Sequence, residues 1–181
     1  EFKLIRERIV EPTYAGLKDS GLGYRGVLYF GIMMTEAGPM LLEYNVRFGD
    51  PETQVVLPLL ESDFANLCDA MVRESIGSFP VRVSDNSALG VVIASPGYPS
   101  SYPKGLEVSP LPTPAEHEGL IFHAATRFDG ERIVTGGGRC FTVVGVGPEI
   151  LTARTRAYTI AKEIVFPGSW FRPDIGGRIF G

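Results

Sequence analysis

Two apolar runs near the start of the chain predict a β-hairpin. The run Gly26–Thr35 is almost wholly apolar and rich in strand-forming residues, and Met40–Val46 follows it after a short turn. The turn contains Gly38 and Pro39, which are typical of chain reversals. Two such runs joined by so short a turn indicate antiparallel strands.

Helical spacing of apolar residues predicts three helical regions. Ile5 and Ile9 lie one turn apart among charges, which predicts a helix that Pro12 breaks, with another helical turn over Thr13–Asp19. Ser62 is a suitable N-cap for a helix that ends at Gly77 and presents one apolar face: Phe64, Leu67, Cys68, Met71 and Val72. A last helix is expected after Pro148, with this buried stripe: Ile150, Leu151, Tyr158, Ala161, Ile164 and Val165.

The second half of the chain has a different pattern, with short apolar runs separated by proline, glycine and Asp129-Gly130. It predicts a small antiparallel β unit with these runs as strands: Leu89–Ala94, Leu106–Val108, Leu120–Ala124, Arg132–Thr135 and Cys140–Val146. A polar stretch around Arg82–Ser87 separates the two patterns. The sequence therefore predicts an α+β protein with two domains, residues 1–79 and residues 80–181.

Composition narrows the classes of function. Of the 181 residues 44% are hydrophobic and 21% charged, which is typical of a folded protein, and the formal net charge of −4 disfavours binding nucleic acid by charge alone. Cys68 and Cys140 lie far apart, without the spacing of a zinc site or a disulfide framework. The longest uncharged run contains three prolines, and no signal peptide is recognised. We therefore expect a reduced, cytoplasmic protein without membrane contact.

The strand Met40–Val46 and the residue after it offer polar groups on one face. Strand alternation puts Glu43, Asn45 and Arg47 on that face. A carboxylate and an amide oxygen suit a hard divalent cation, and a guanidinium can hold a phosphate beside it. The same alternation predicts a buried apolar face: Leu42, Tyr44 and Val46.

The turn after this strand extends the candidate site. Gly49, Asp50, Pro51 and Glu52 form a tight turn in which a glycine lets a ligand approach the backbone closely. From the residues alone two interpretations remain open. The polar face is either a metal and phosphate site or a solvated sheet face on which Glu43 pairs with Arg47.

Several motifs, in order along the whole chain, resemble the glycinamide ribonucleotide synthetase (phosphoribosylamine–glycine ligase) family of ATP-grasp enzymes. The octapeptide Arg47-Phe48-Gly49-Asp50-Pro51-Glu52-Thr53-Gln54 looks like the signature of that family. The other matching motifs are Glu11-Pro12-Thr13, Tyr24-Arg25-Gly26-Val27-Leu28-Tyr29, Gly97-Tyr98-Pro99, Lys104-Gly105, Phe122-His123-Ala124, Gly137-Gly138-Arg139 and Arg172-Pro173-Asp174-Ile175-Gly176.

The resemblance implies a fold and an activity. It covers only the C-terminal part of the family's enzyme: the C-terminal lobe of an ATP-grasp domain, then a small β-rich domain, with the N-terminal domains of the same enzyme as expected partners. It implies ATP-dependent ligation of glycine to 5-phosphoribosylamine, with ADP and phosphate as the other products. Glu43 and Asn45 would be ligands of Mg²⁺ or Mn²⁺, Arg47 the catalytic residue, and Arg47, Gly49, Asp50, Pro51 and Glu52 the substrate and phosphate contacts.

Two other functions fit the same sequence. One is another carboxylate–amine ligase of the ATP-grasp class, which often has an extra acidic metal ligand on the preceding strand, whereas Gly26–Thr35 has no acidic residue. The other is a non-catalytic fragment that keeps the fold, and we expect the isolated chain to be inactive. His117 and His123 lack a nucleophile context. In the 135–139 loop, Gly136-Gly137-Gly138-Arg139 is interpreted as a tight strand connection rather than a phosphate-binding loop.

Overall fold

The computed structural model describes residues 1–113 and 119–179 of the chain. They form two compact units, one of residues 1–49 and 62–81, the other of residues 50–61 and 82–179. Because the segment 50–61 belongs to the second unit, the units do not follow one another simply along the chain. The single boundary after residue 79 stays a prediction. Helices and antiparallel sheets are both present, as expected of an α+β protein.

The first unit begins with a helical segment that runs through Pro12. It comprises α1 (Phe2–Ile5), a π-helical turn (Arg6–Val10) and α2 (Glu11–Asp19). The prediction that Pro12 breaks the helix is wrong. Proline has no N–H to donate, but Pro12 stands in the first turn of α2, directly after the π-helical turn, where the hydrogen-bonding pattern changes.

The predicted hairpin is confirmed. Strand β1 (Tyr29–Thr35) pairs antiparallel with β2 (Gly38–Asn45), so that Tyr29 lies opposite Asn45. The register shifts between Gly31 and Ile32, which lie opposite Glu43 and Leu41. Leu42 is therefore the extra residue of a β-bulge, and strand alternation is interrupted there.

The apolar face predicted for β2 is not buried. Leu42, Tyr44 and Val46 are 64%, 46% and 66% exposed. Tyr44 packs edge-on against Phe30 at 5.5 Å, and its hydroxyl lies 2.7 Å from that of Thr13. One two-stranded sheet with short helices does not cover all of these side chains.

The remaining helix of the first unit is α4 (Phe64–Val72), followed by a 3₁₀ turn (Ile76–Ser78). Its N-cap is Asp63, whose Oδ1 accepts the backbone N–H of Asn66 at 2.8 Å. Ser62 instead donates its hydroxyl to the carbonyl of Pro80. The cap was therefore predicted one residue too early, because both residues have side chains suited to capping.

The second unit is built on a three-stranded antiparallel sheet. Strand β7 (Arg139–Gly147) lies at its centre, between β3 (Ser87–Ala94) and β4 (Gly119–His123). A separate hairpin pairs β5 (Thr126–Asp129) with β6 (Arg132–Thr135). The predicted strand Leu106–Val108 is reduced to a bridge between Glu107 and Val134.

One long helix, α5 (Ile150–Glu163), packs on this sheet, and the unit also contains α3 (Glu52–Val56) and 3₁₀ turns at Leu57–Leu59 and Gly177–Ile179. The buried side chains of α5 are Ala153, Ala157, Tyr158, Ile160 and Ala161. The predicted stripe is partly wrong, because Leu151 and Val165 are exposed and the small alanines face the sheet instead. Among the helices of the described residues, none is long and apolar enough to cross a bilayer.

Candidate functional site

The predicted metal ligands, Glu43 and Asn45, lie together near the end of β2. The Nδ2 of Asn45 donates to Oε1 of Glu43 at 3.1 Å, so the two side chains share one face of the strand. The bulge at Leu42 precedes both residues and leaves their common orientation intact. The polar face predicted for this end of the strand therefore forms.

This pair suits a hard divalent cation. Asn45 donates its nitrogen to Glu43, and the pair as a whole offers a carboxylate and an amide oxygen, which are donor types that such a cation prefers. Within residues 1–113 and 119–179, no group of three or more histidine, cysteine, aspartate or glutamate side chains is placed to hold a metal ion. Magnesium commonly takes one or two protein oxygens and completes its shell with phosphates and water, so two donors are sufficient.

The loop that follows β2 contacts α4 through Phe48. The ring of Phe48 lies 6.2 Å from that of Phe64 on α4, in the same unit. Arg47 is exposed, and its Nη1 donates to the carbonyl of Phe48 at 3.2 Å. Its guanidinium therefore stays on the surface of the unit, and Gly49 closes the segment in a buried position.

The other predicted contact residues belong to the second unit. Asp50 and Pro51 form the turn before α3, and Glu52 is the first residue of that helix. Arg139 contacts Asp50 twice, through Nη1 to the carbonyl oxygen at 2.8 Å and through Nη2 to Oδ2 at 3.0 Å. Gln54 donates its Nε2 to Oδ1 of Asp50 at 2.9 Å.

Arg139 and Gln54 have no role that the sequence predicted. Arg139 follows three glycines and was assigned with them to a strand connection, and 89 positions separate it from Asp50. The connection itself is tight: a Cβ on Gly138 would lie 2.2 Å from the ring of Tyr98, and the carbonyl of Gly137 accepts the hydroxyl of Ser95. These glycines pack into the fold, as the interpretation of a strand connection requires.

Within residues 1–113 and 119–179, the remaining candidates do not form a nucleophilic site. Nδ1 of His123 lies 2.8 Å from the hydroxyl of Thr126, and its ring lies 5.0 Å from that of Phe141. His117 lies outside the described residues. Cys140 is fully buried, and this burial raises the pKa of its thiol, an effect that a hydrogen bond with Ser95 partly opposes. A neutral buried thiol is a poor nucleophile.

Comparison with known families decides where the chain belongs. The model of the phosphoribosylglycinamide synthetase C domain matches residues 88–178, and that of the ATP-grasp (A) domain of the same synthetase matches residues 1–53. The chain belongs to the phosphoribosylglycinamide synthetase family. The predicted resemblance is thereby confirmed.

The relatives with similar sequences are longer than this chain. The trifunctional purine biosynthetic protein adenosine-3 of Gallus gallus is 44% identical over 96% of this chain, which corresponds to 17% of that protein. The phosphoribosylamine–glycine ligase of Caldanaerobacter subterraneus is 42% identical over 94% of this chain and 40% of its own length. The chain therefore spans less than half the length of these relatives.

A solved structure of the family gives the same fold. The phosphoribosylamine–glycine ligase of Thermotoga maritima matches with a TM-score of 0.82 and 38% identity, over 96% of this chain and 42% of that one. The predicted fold class is confirmed: an α+β chain that contains the C-terminal portion of an ATP-grasp domain and the family's β-rich C domain.

Proposed function

We propose that this chain contributes to the ATP-dependent ligation of glycine to 5-phosphoribosylamine, which yields glycinamide ribonucleotide, ADP and phosphate in purine biosynthesis. Membership of the family supports this reaction over that of other carboxylate–amine ligases. The observation on which the proposal depends most is the Glu43–Asn45 pair, held together at 3.1 Å within the ATP-grasp segment. The reaction would take place in the cytoplasm.

In this proposal, the carboxylate of Glu43 and the amide oxygen of Asn45 hold Mg²⁺ or Mn²⁺ at the phosphates of ATP. The bound cation would neutralise part of the negative charge on the transferring phosphoryl group. Asn45 has a second task, because its N–H bond to Oε1 fixes the orientation of the Glu43 carboxylate. Two oxygen donors are thus preorganised before the nucleotide binds.

Arg47 is the proposed catalytic residue. Its exposed guanidinium can donate to an oxygen of the transferring phosphate, or of the glycyl phosphate formed when the glycine carboxylate attacks ATP. The amine of 5-phosphoribosylamine then attacks the glycyl carbonyl, and phosphate leaves. Backbone and side-chain groups of the turn at residues 49–52 (Gly49, Asp50, Pro51 and Glu52) are proposed as further contacts to the substrates or their phosphates.

The test uses the longer natural protein that contains this chain. We expect it to form ADP only when glycine, 5-phosphoribosylamine, ATP and a divalent cation are all present. Glu43→Gln removes a charged ligand with little change in size, and kcat should fall by about 100-fold or more. Glu7→Gln makes the same change at an exposed helical carboxylate of the same unit and should leave kcat unchanged.

Two outcomes would reject the proposal. If the longer protein forms no ADP under these conditions, the ligase assignment is wrong. If Glu43→Gln keeps the wild-type rate at limiting cation concentration, the metal assignment is wrong. The chain of 181 residues by itself should show no turnover, and turnover by it alone would contradict the expectation that the N-terminal domains are needed.

A further inference from the structure

Each acceptor oxygen of Asp50, in its backbone and in its side chain, has a hydrogen-bond or ion-pair partner. The backbone carbonyl and Oδ2 both bind the guanidinium of Arg139, and Oδ1 binds the amide of Gln54. An ionised aspartate has only acceptor groups in its side chain. Both carboxylate oxygens and the carbonyl of this residue are therefore engaged within the second unit.

Arg139 is well placed to act as a fixed anchor. It is the first residue of β7, the central strand of the sheet, and the two residues after it, Cys140 and Phe141, are fully buried. Its guanidinium binds Asp50 through two nitrogens, which gives a defined orientation as well as attraction. Gln54, which lies one turn further along on α3, binds the other carboxylate oxygen of Asp50.

The surroundings of Arg139 do not favour a free anion as its partner. Arg139 also borders a cavity of about 210 Å³ whose walls are mainly apolar and include Pro51, Val92 and Trp170. Asp50 already balances the charge of Arg139, and Arg172, at the same cavity, is paired with Asp174. The carbonyl oxygen and both carboxylate oxygens of Asp50 are already engaged, which suits an anchoring role for this residue.

We propose that Arg139, Asp50 and Gln54 form a clamp that positions the Asp50-Pro51 turn, with Arg139 as a positioning residue for the ligase reaction. This inference rests on the proposed function. It gives Asp50 the role of an anchor, while Gly49, Pro51 and Glu52 remain the candidate contacts on either side. The proposal also gives a role to Arg139, the residue that follows the three glycines of the strand connection.

A double-mutant cycle in the longer protein tests the clamp. Arg139→Gln and Asp50→Asn should each lower kcat/KM by about 10- to 100-fold, because small displacements of substrate-positioning groups have effects of this size. The double variant should be within about threefold of the worse single variant, since both changes break the same contact. Arg132→Gln, which breaks the exposed pair with Glu107 in the same unit, should leave kcat/KM unchanged.

Gln54→Met gives a variant that tests the clamp with little risk to folding. Its Oε1 is buried and has no hydrogen-bond partner among the described residues, so an apolar side chain of similar length removes an unsatisfied acceptor together with the bond to Asp50. We expect kcat/KM to fall while the melting temperature stays at or above that of the wild type. If Gln54 had only a structural role, kcat/KM would fall only together with the melting temperature.

Hydrogen exchange in the 181-residue chain is a second measurement, independent of activity. The backbone amides of Asp50, Glu52, Thr53 and Gln54 should exchange faster in Arg139→Gln than in the wild type. In Arg132→Gln they should exchange at the wild-type rate. Additive effects in the cycle, or unaltered exchange in Arg139→Gln, would overturn the clamp. If the longer protein is inactive even without a substitution, the ligase proposal is overturned instead. The hydrogen-exchange experiment would still test the clamp in that case.

Discussion

Glu43 lies directly across the hairpin from Gly31, and its side chain occupies the space above that glycine. A Cβ added to Gly31 would lie 2.8 Å from Cγ of Glu43, closer than side-chain atoms normally approach. The absence of a side chain at position 31 thus lets the Glu43 carboxylate turn toward Asn45. Gly31 thereby affects the proposed metal pair without having a donor atom of its own.

Gly31→Ala should weaken the binding of the cation more than it weakens the fold. The added methyl group displaces the Glu43 side chain, and changes next to a metal ligand typically lower metal affinity by about 10- to 100-fold. The measurement is the Mg²⁺ concentration that gives half-maximal ligase rate in the longer protein. It should rise by about 10-fold or more.

Gly16→Ala is the matched control for this substitution. A Cβ at Gly16 meets nothing within 4 Å, and the residue lies inside helix α2 of the same unit. Alanine should raise stability there by about 0.5–1 kcal/mol and leave the Mg²⁺ dependence unchanged. An equal Mg²⁺ dependence in both variants would show that Gly31 does not act through Glu43.

Val46→Asp should be tolerated by the 181-residue chain, contrary to simple strand alternation. Val46 is 66% exposed, so a carboxylate there stays in water and should change the free energy of unfolding by less than about 0.5 kcal/mol. Val143→Asp, in the fully buried centre of β7, places an unpaired charge in the core and should unfold the second unit. Urea titrations followed by circular dichroism compare the two, and similar losses of stability would contradict the exposure of Val46.

The hairpin and the Glu43–Asn45 pair were predictable because they depend on local periodicity. Antiparallel strands with a tight turn leave little freedom of register, and residues two apart on a strand face the same side. The buried face of β2 was not predictable from alternation. A bulge at Leu42 shifts the register, and burial depends on which layers cover a sheet, which the strand's own sequence does not specify.

The clamp at Asp50 was not predictable from spacing, since Arg139 lies 89 positions away in the chain. No local pattern links a turn residue to the first residue of a distant strand. The family resemblance drew attention to both segments, but it could not show that one binds the other. The buried face of α5 was also predicted only in part. Small residues such as alanine allow close packing on a sheet, but a search for large apolar residues at helical spacing does not select them.

Stability should fall at alkaline pH through Cys140. Burial raises the pKa of its thiol above that of an unfolded cysteine, so the folded state holds the proton more tightly. The contribution of this thiol to stability is therefore complete below the pKa of the thiol in the unfolded state. It is lost as the pH rises through the pKa of the thiol in the folded state. Urea titrations of reduced protein between pH about 8 and about 10 should show a steeper loss in the wild type than in Cys140→Ala. Cys68→Ser should keep the wild-type slope, and parallel slopes in wild type and Cys140→Ala would contradict the effect.

Gly145→Ala should be among the most damaging single-methyl changes in the second unit. Gly145 lies in β7, where helix α5 comes so close that a Cβ would lie 2.0 Å from the carbonyl oxygen of Ala153 and 2.5 Å from the N of Ala157. Both are backbone atoms of α5, so no side chain can rotate away, and the helix itself must move off the sheet. Overpacking that cannot be relieved by rotamers costs about 3 kcal/mol or more.

The matched control is Gly177→Ala in the same unit, where an added Cβ meets nothing within 4 Å. This variant should stay within about 0.5 kcal/mol of the wild type in urea titrations. The loss in Gly145→Ala should appear in core signals of the second unit, because α5 covers the fully buried Val143 and Phe141. If Gly145→Ala and Gly177→Ala unfold at the same urea concentration, the close approach of α5 to β7 at this position is wrong.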